Sequence, residues 1–437
     1  KASFEYRMQE RQFAGIDLRF GVQDLLDLAA QGSLEVGGPE IHLTVAVSET
    51  NLQPVYRVLI QEPFRMDYPV LADLDLQGSG GAEFRVDGNG SQWHIKGRCR
   101  ADFGPLLLPE KGLEFEGLHL EIPLWYESAA ALIPEERIIG SLRLKGFRAP
   151  GLPRQSLHCE LRAGPNALSV PQGTSVQTLG GEVRLGPLRI SRLFGRTARL
   201  ETSLALTGFP LEPSLQNLFK RSVQGSLSGE LDPLVLQNGR IRSKGALLAE
   251  IFDGLIRLYD LKADKIFSPV PNFGLSATFH GLDLAELTSK TDFGEIQGVL
   301  EGSVQDLVIA AGQPQAFDLL LETVKTRGVE QTISVKAVDN IARIGGGQSP
   351  FMGFAGILAA VFENFSYRKI GIKSHLENDR FQINGTIKED GTEYLVKKRG
   401  LTGVNIVNSN PDNQISFKDM LKRINRVTSS QGSVRVD

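Results

Sequence analysis

The sequence is poor in the residues from which catalytic, metal and disulfide sites are built. Only two of its 437 residues are cysteines, Cys99 and Cys159, too few for a disulfide framework and without metal-ligand spacing. We expect two unpaired thiols, and a single bridge in an oxidising compartment is the alternative. The net charge of −3 gives no basic footprint, so we predict no nucleic-acid partner.

Long apolar runs are also missing. A bilayer-spanning helix needs about 18 or more consecutive apolar residues, and the nearest run, 351–365, is shorter and carries Glu363. We therefore expect no transmembrane helix in the chain. Because the chain begins at Lys1 without an apolar targeting segment, we expect a fragment or a processed form whose signal or membrane anchor lies upstream.

Motifs that carry chemistry are incomplete. The run Gly345-Gly-Gly-Gln-Ser-Pro lacks the Gly-Lys-Ser/Thr ending of a phosphate-binding loop, and no Gly-x-Ser-x-Gly elbow occurs. The six histidines are scattered without ligand spacing, which favours a solvated strand face. We predict no catalytic residue, no metal site and no cofactor, and hence that the chain is not an enzyme. The histidines are His42, His94, His119, His158, His280 and His375.

What the sequence does contain is an internal repeat. Residues 206–239 and 279–312 align without a gap when shifted by 73 positions, and nine of 34 residues are identical. A third, partial copy runs from Gly15 to Val36. Similarity at a fixed offset is typical of repeat proteins, so we predict stacked copies of one unit. The identical pairs are Gly208/Gly281, Leu211/Leu284, Gln224/Gln297, Gly225/Gly298, Leu227/Leu300, Gly229/Gly302, Leu234/Leu307, Val235/Val308 and Gly239/Gly312.

Apolar and polar residues alternate along most of the chain. The run Ile41–Val47 is one example, and it predicts a strand with one apolar face. More than about 20 such runs, separated by turns, predict a mostly β chain of antiparallel strands. Glycine supplies 47 of the 437 residues, a larger share than the usual ~7%. Hairpin turns are predicted at Asn238-Gly239, Asn384-Gly385 and Asp390-Gly391.

Few helices are predicted, at 21–30, 213–219, 283–290, 350–365 and 417–427. Helix 350–365 has an apolar stripe that we predict to plug the end of a groove or to lie in a membrane interface, and covering exposed apolar sheet is the alternative. The stretch 388–426 has a mild excess of Lys and Arg, which either contacts anionic lipid head groups or an acidic partner, or is a solvated surface. The stripe comprises Phe351, Phe354, Leu358 and Phe362.

The length exceeds the ~250–300 residues at which single cores stop growing. No linker composition divides the chain, so we predict one extended body. Its parts are an N-terminal β-rich segment at 1–200, a repeat segment at 201–427 and a frayed tail at 428–437. From alternation alone a two-sheet sandwich is an alternative, but a repeat of strands plus one short helix favours a solenoid increment.

The repeated pattern resembles that of a known family. Residues 225–239 and 298–312 share Gly-x-Leu-x-Gly-x-[Leu/Val]-x-x-Leu-Val-[Leu/Ile]-x-x-Gly, which looks like the recurring unit of the AsmA-like superfamily. Within it the sequence is most similar to the YdbH/TamB-type periplasmic proteins. A strand pair, an Asn-rich loop and a closing basic helix near the C-terminus add to the likeness. The likeness is good over residues 200–427, whereas the first 200 residues resemble the family only in their general pattern.

The resemblance implies a bridge-like lipid carrier. Its fold would be an elongated, twisted antiparallel sheet curled lengthwise into an open, β-taco-like groove, with a few short amphipathic helices. Such proteins are anchored at the inner membrane and extend through the periplasm toward the outer membrane. Implied partners are a phospholipid or another acyl-chain lipid, together with inner- and outer-membrane proteins. The alternatives are an outer-membrane protein assembly factor that acts by strand addition and a structural β-scaffold.

On this reading the repeats line the groove. Leu227, Leu231, Leu300 and Val304 would point into it, and the later aliphatic residues of each copy would follow on the next strand segment. For each position an ordinary core residue is the alternative. The later residues are Leu234, Leu236, Leu307 and Ile309.

Overall fold

Strands dominate the architecture. A computed structural model describes residues 2–8, 13–22, 25–35, 37–64, 76–108, 112–128, 137–148, 154–178, 180–195, 197–215, 221–266, 268, 270–344, 363–400, 403–408 and 414–421. The chain is mostly β, its strands pair antiparallel in one large open sheet, and its helices are few. The fold class predicted from the sequence is thereby confirmed.

The described residues form 29 strands, and just over half of these are ten to fifteen residues long. They are β1 (Ala2–Met8), β2 (Phe13–Val22), β3 (Leu26–Glu35), β4 (Glu40–Asn51), β5 (Gly78–Asn89), β6 (Trp93–Phe103), β7 (Leu106–Leu108), β8 (Leu113–Glu127), β9 (Ile138–Arg148), β10 (Gln155–Gly164), β11 (Ala167–Val170), β12 (Thr174–Thr178), β13 (Gly181–Leu185), β14 (Leu188–Ser191), β15 (Arg199–Pro210), β16 (Gly225–Gln237), β17 (Arg240–Ile251), β18 (Gly254–Asp264), β19 (Asn272–Asp283), β20 (Ile296–Gln297), β21 (Val299–Ala310), β22 (Gln313–Val324), β23 (Thr332–Ser334), β24 (Asn364–Glu377), β25 (Arg380–Gly385), β26 (Ile387–Glu389), β27 (Thr392–Lys398), β28 (Ile406–Val407) and β29 (Gln414–Ser416).

The chain divides into two compact units. The first unit comprises Lys1–Ala205, Asp232–Ile241 and Lys265–Pro269, and the second comprises Leu206–Leu231, Arg242–Asp264 and Val270–Asp437. Strands β15, β16 and β17 contribute residues to both. The predicted division into residues 1–200, 201–427 and 428–437 stays a prediction.

Sequence neighbours pair in the first unit. From β1 to β6 each strand pairs antiparallel with the next, β6 pairs with β8, and the ladder continues through β9, β10, β11 and β14. Strand β7 pairs with the start of β8, and β12 and β13 form a hairpin. In β4, apolar residues that are half-buried alternate with exposed polar ones, as period-two patterning requires.

The second unit is also built of antiparallel strands and contains a large hydrophobic cluster. Its main ladder runs β18, β19, β21, β22, β24, β25 and β29. Strand β23 pairs with β20 and β24, and β27 pairs with β24, β26 and β28. Buried aliphatic and aromatic residues from these strands and from the helices form a cluster, the larger of two such clusters among the described residues.

The helices only partly match the sequence predictions. They are α1 (Leu52–Tyr56), a π-helical turn (Arg57–Gln61), α2 (Glu62–Phe64), α3 (Glu212–Leu215), α4 (Leu284–Ser289) and α5 (Val335–Ile344), and residues 417–421 are also helical. The helix at 283–290 is confirmed, with Asp283 as its N-cap, accepting from the Glu286 amide at 2.9 Å. The starts of those at 213–219 and 417–427 are confirmed as α3 and helix 417–421. Residues 216–220 and 422–427 lie outside the described residues.

Two local predictions are wrong. Residues 21–22 and 26–30 are strand and not helix, because Leu26 and Leu28 pair with Val22 and Phe20 in a hairpin of β2 and β3. Asn384-Gly385 ends strand β25 and forms no hairpin turn, whereas Asn238-Gly239 and Asp390-Gly391 have the positive φ angles of such turns.

A buried carboxylate joins the last strands of the second unit. Glu393 on β27 accepts from the Gly385 amide at 2.7 Å, from Asn408 Nδ2 at 2.8 Å and from Asn384 Nδ2 at 3.4 Å, and Lys388 Nζ lies 3.6 Å away. Burial by itself would raise the pKa of Glu393, but these donors and Lys388 together lower it.

Replacing Glu393 by glutamine is expected to cost about 1–3 kcal/mol, because buried donors lose a charged acceptor. Since the folded pKa is lowered, the carboxylate stabilises the unit above its ordinary pKa of about 4.3 and loses this effect as pH falls through the folded value. Urea unfolding at pH 7 and between pH 5 and 3 would measure both effects. Glu377→Gln, at an exposed position on β24, is the matched control. Equal acid sensitivity of E393Q and the parent would contradict the assignment.

Candidate functional site

One face of the first unit is continuously apolar. Residues directly opposite one another on successive antiparallel strands share a face, and we call such a set a row. Three rows cross β2, β3, β4, β5, β6 and β8, and together they form the apolar face of the first unit. The rows are Ile16, Gly32, Leu43, Val86, Ile95, Tyr126; Leu18, Ala30, Val45, Phe84, Gly97, Leu124; and Phe20, Leu28, Val47, Ala82, Cys99, Ile122.

This apolar face is not covered by the described residues. Of the eighteen positions in the three rows only Ala30 is buried, and Phe20 is 51% exposed. Most of the others are half-buried, the state expected when a side chain is shielded only by its neighbours on the same face. Five strand intervals of about 4.8 Å make each row about 24 Å long. That is longer than one leaflet of hydrocarbon, roughly half of the ~30 Å bilayer core.

The opposite face of the first unit is polar and ion-paired. His42 Nδ1 lies 2.7 Å from Asp87 Oδ1 on the next strand, and Arg98 Nη1 donates to Glu121 Oε1 at 3.0 Å. Both histidine and arginine are exposed, so these pairs contribute little stability, about 0–1 kcal/mol each.

Five of the six histidines of the chain face a carboxylate on a neighbouring strand, which fits their predicted position on a solvated strand face. These are His42, His94, His119, His280 and His375.

The two cysteines lie on the apolar side of the first unit and are free. Cys99 on β6 faces Ile122 and Cys159 on β10 faces Leu142, so the two strands are separated by β8 and β9. Three strand intervals amount to about 14 Å, twice the roughly 7 Å limit for a disulfide. The predicted unpaired thiols are confirmed. Burial raises the pKa of both thiols.

In the second unit, the predicted residues of the later repeat share one face. Leu300, Val304, Leu307 and Ile309 all lie on β21, so the expectation that the last two occupy another strand segment is wrong. A bulge centred on Asp306, whose φ is 47°, inserts one extra residue. Without that extra residue, period-two alternation would turn the last two side chains to the opposite face.

The predicted residues of the earlier repeat also lie on a single strand. Leu227, Leu231, Leu234 and Leu236 all lie on β16, again one strand and not two. Leu231 is 3% exposed and Leu300 is 8% exposed, as core residues are. The other six predicted lining residues are half-buried and accessible from one side. Accessibility therefore separates Leu231 and Leu300 from the rest, although the sequence treats all eight alike.

Helix α5 packs in the hydrophobic cluster of the second unit and was not predicted from the sequence. Its buried residues Ala337, Val338 and Ile341 pack in the cluster that holds Leu282 and Leu300. Apolar residues at 335, 338, 341 and 342 give the helical spacing that could have revealed it. The predicted helix at 350–365 is wrong at its end, because Phe365 lies in β24. Its proposed plug residues Phe351, Phe354, Leu358 and Phe362 lie outside the described residues.

The apolar faces consist mainly of aliphatic and aromatic side chains. Within the described ranges, no group of three or more His, Cys, Asp or Glu residues could hold a metal ion. Among the same residues, no helix is both long and apolar enough to cross a bilayer. Comparisons with family models, curated proteins and solved structures found no match for the chain. The apolar sheet faces are therefore the candidate functional site of the chain.

Proposed function

We propose that the chain is a non-enzymatic carrier that binds acyl-chain lipid along its apolar sheet faces. The observation that carries the proposal is the apolar face of the first unit, in which three rows cross six strands and only Ala30 is buried. A soluble protein rarely exposes so large a continuous apolar patch unless something binds there. The open antiparallel sheet is compatible with a β-taco-like groove.

The energetics suit a path along which lipid slides. Each methylene group removed from water contributes about 0.8 kcal/mol. Rows of Val, Leu, Ile and Phe side chains present nearly the same surface at every strand, so an acyl chain gains little by stopping at one place. The polar, ion-paired face opposite contacts water and keeps the sheet soluble.

The resemblance in residues 225–239 and 298–312 extends the proposal to a cellular setting. It would place the chain in the periplasm, anchored to the inner membrane, where it would move phospholipid-like molecules between the inner and outer membranes. Membrane proteins at both ends would be its partners. Strand addition to outer-membrane proteins and a purely structural role remain the alternatives, and no described residue favours either.

The two native thiols provide a direct test. If lipid occupies the apolar face of the first unit, Cys99 and Cys159 should react with a water-soluble maleimide several-fold more slowly in protein loaded from phosphatidylglycerol–phosphatidylethanolamine vesicles than in delipidated protein. Mass spectrometry of the labelled peptides measures the rates, and native mass spectrometry with lipid extraction measures occupancy.

The control places the reporter on the polar face. Thr44→Cys, in a Cys99→Ala/Cys159→Ala background, puts a thiol on the opposite side of β4, where lipid should leave its reactivity unchanged. Equal protection at Thr44→Cys and at the native cysteines, or no bound lipid in the native mass spectrum, would overturn the proposal.

A further inference from the structure

One row in the second unit passes from accessible to covered. It runs across β19, β21, β22, β24, β25 and β29, with Leu307 in the bulge opposite Phe317. Leu307 and Phe317 are half-buried, whereas Leu376 and Phe381 are 1% and 4% exposed. The row is therefore covered on the two strands that follow Phe317, and Ile415 on the last strand is again half-buried. The row comprises Leu275, Leu307, Phe317, Leu376, Phe381 and Ile415.

Helix 417–421 packs against the row where this change occurs. The ring of Phe417 lies 6.0 Å from that of Phe317 and 5.5 Å from that of Phe381, and Phe317 and Phe381 are 6.3 Å apart. Three rings at these distances form a closed aromatic contact. Phe417 and Met420 are themselves buried. The helix thus covers the row at the boundary where accessibility is lost.

Asp379 holds the start of this helix together with Ser416. Asp379, in the turn between β24 and β25, accepts from the Lys418 amide and from the Ser416 hydroxyl, each at 2.9 Å, through its carboxylate. Its main-chain carbonyl accepts from the Phe417 amide at 2.9 Å. The Asp419 amide donates to the Ser416 hydroxyl at 3.2 Å, which completes the cap. The pKa of Asp379 is lowered, first by the Lys418 amide and then by Ser416.

We propose that helix 417–421, fastened by Asp379, is the end-stop of the acyl-chain path on the second unit. The path includes Val304, Leu307 and Leu319 and ends at the Phe317–Phe381–Phe417 contact. This inference rests on the proposed lipid-carrier function and adds to it the place where bound lipid must stop. Lipid that reaches Phe317 meets a packed aromatic cluster in place of an open apolar surface.

Photo-crosslinking on both sides of the boundary tests the end-stop. A photoreactive phenylalanine analogue replaces Leu319, on the accessible side, or Phe381, on the covered side, and the protein is loaded from phosphatidylglycerol–phosphatidylethanolamine vesicles. We expect lipid adducts at Leu319 and only protein adducts at Phe381. In Asp379→Ala, whose helix 417–421 is released, the Phe381 reporter should also capture lipid.

Asp390→Ala is the matched control. Asp379 and Asp390 both have positive φ angles, so both alanine variants carry a similar backbone penalty, but only Asp379 holds the helix. If Asp379→Ala unfolds, Ser416→Ala removes the cap hydroxyl more mildly and serves the same purpose. Lipid capture at position 381 in the parent, or no lipid capture there in folded Asp379→Ala or Ser416→Ala, would overturn the end-stop alone. Absence of lipid at Leu319 would instead overturn the carrier function.

Discussion

Replacing Gly302 by valine is expected to destabilise the second unit by about 3 kcal/mol or more, at the upper end of the range for overpacking. A Cβ atom at this position of β21 would lie 2.2 Å from the carbonyl oxygen of Leu320 and 3.1 Å from Leu321 Cδ2. The first of these contacts is with the backbone of the neighbouring strand, so no rotamer change can relieve it. The urea midpoint of unfolding, followed by circular dichroism, measures the loss.

The same hairpin offers a matched control. Gly312 lies in the turn between β21 and β22, has a φ of 72°, and nothing lies within 4 Å of the position its Cβ would take. Asparagine tolerates this left-handed conformation, so Gly312→Asn should shift the midpoint little. A small effect of G302V, similar to that of G312N, would mean that the strands adjust easily and that Gly302 is not needed for close approach.

Close approach also explains what the internal repeat preserves. Gly229 corresponds to Gly302 in the other copy, and its Cβ would lie 2.4 Å from the carbonyl oxygen of Ala246. In the first unit Gly97 has the same relation to Glu83, at 2.1 Å. A glycine within a strand marks a place where a neighbouring backbone comes close or the strand bends. The repeat thus retains the glycines for the geometry of the sheet and the aliphatic residues for its apolar face.

Alternation predicted the strands well because its period of two is a local property. It could not predict which strands would be covered. Leu300 and Val304 are equivalent in pattern, yet α4 and α5 bury the first and leave the second half-buried. That difference depends on long-range packing, which a repeated pattern does not encode.

The errors in helix prediction have a similar origin. Leu25, Leu26 and Leu28 resemble a helical stripe, but Leu26 and Leu28 have cross-strand partners in β2 that an isolated segment does not show. Conversely, α5 was overlooked because the alternation of Ile333 and Val335 continues the strand pattern into its first residue. Cross-strand pairing decides the first case and packing of the helix in the core decides the second, and local propensity decides neither.

Replacing Val304 by aspartate is expected to abolish lipid capture by the second unit while the protein remains folded. The side chain is half-buried on β21, so the new carboxylate can stay hydrated and should cost only about 1 kcal/mol of stability. Ser303→Asp, one residue earlier and on the opposite face, is the control and should retain lipid. Native mass spectrometry measures the lipid, and thermal unfolding monitored by circular dichroism verifies the fold.

The comparison with Leu300→Asp separates a lipid path from a dry core. Leu300 is 8% exposed in the buried cluster that also holds residues of α5, so a carboxylate there would be buried without a partner and should destabilise the second unit by several kcal/mol. If Val304 also belonged to a dry core, V304D would unfold the unit as L300D does. If V304D folds but still carries lipid, then lipid does not travel along this face. Only loss of lipid in a folded V304D, together with unfolding of L300D, supports a conduit that runs past Val304 and is closed where Leu300 is buried.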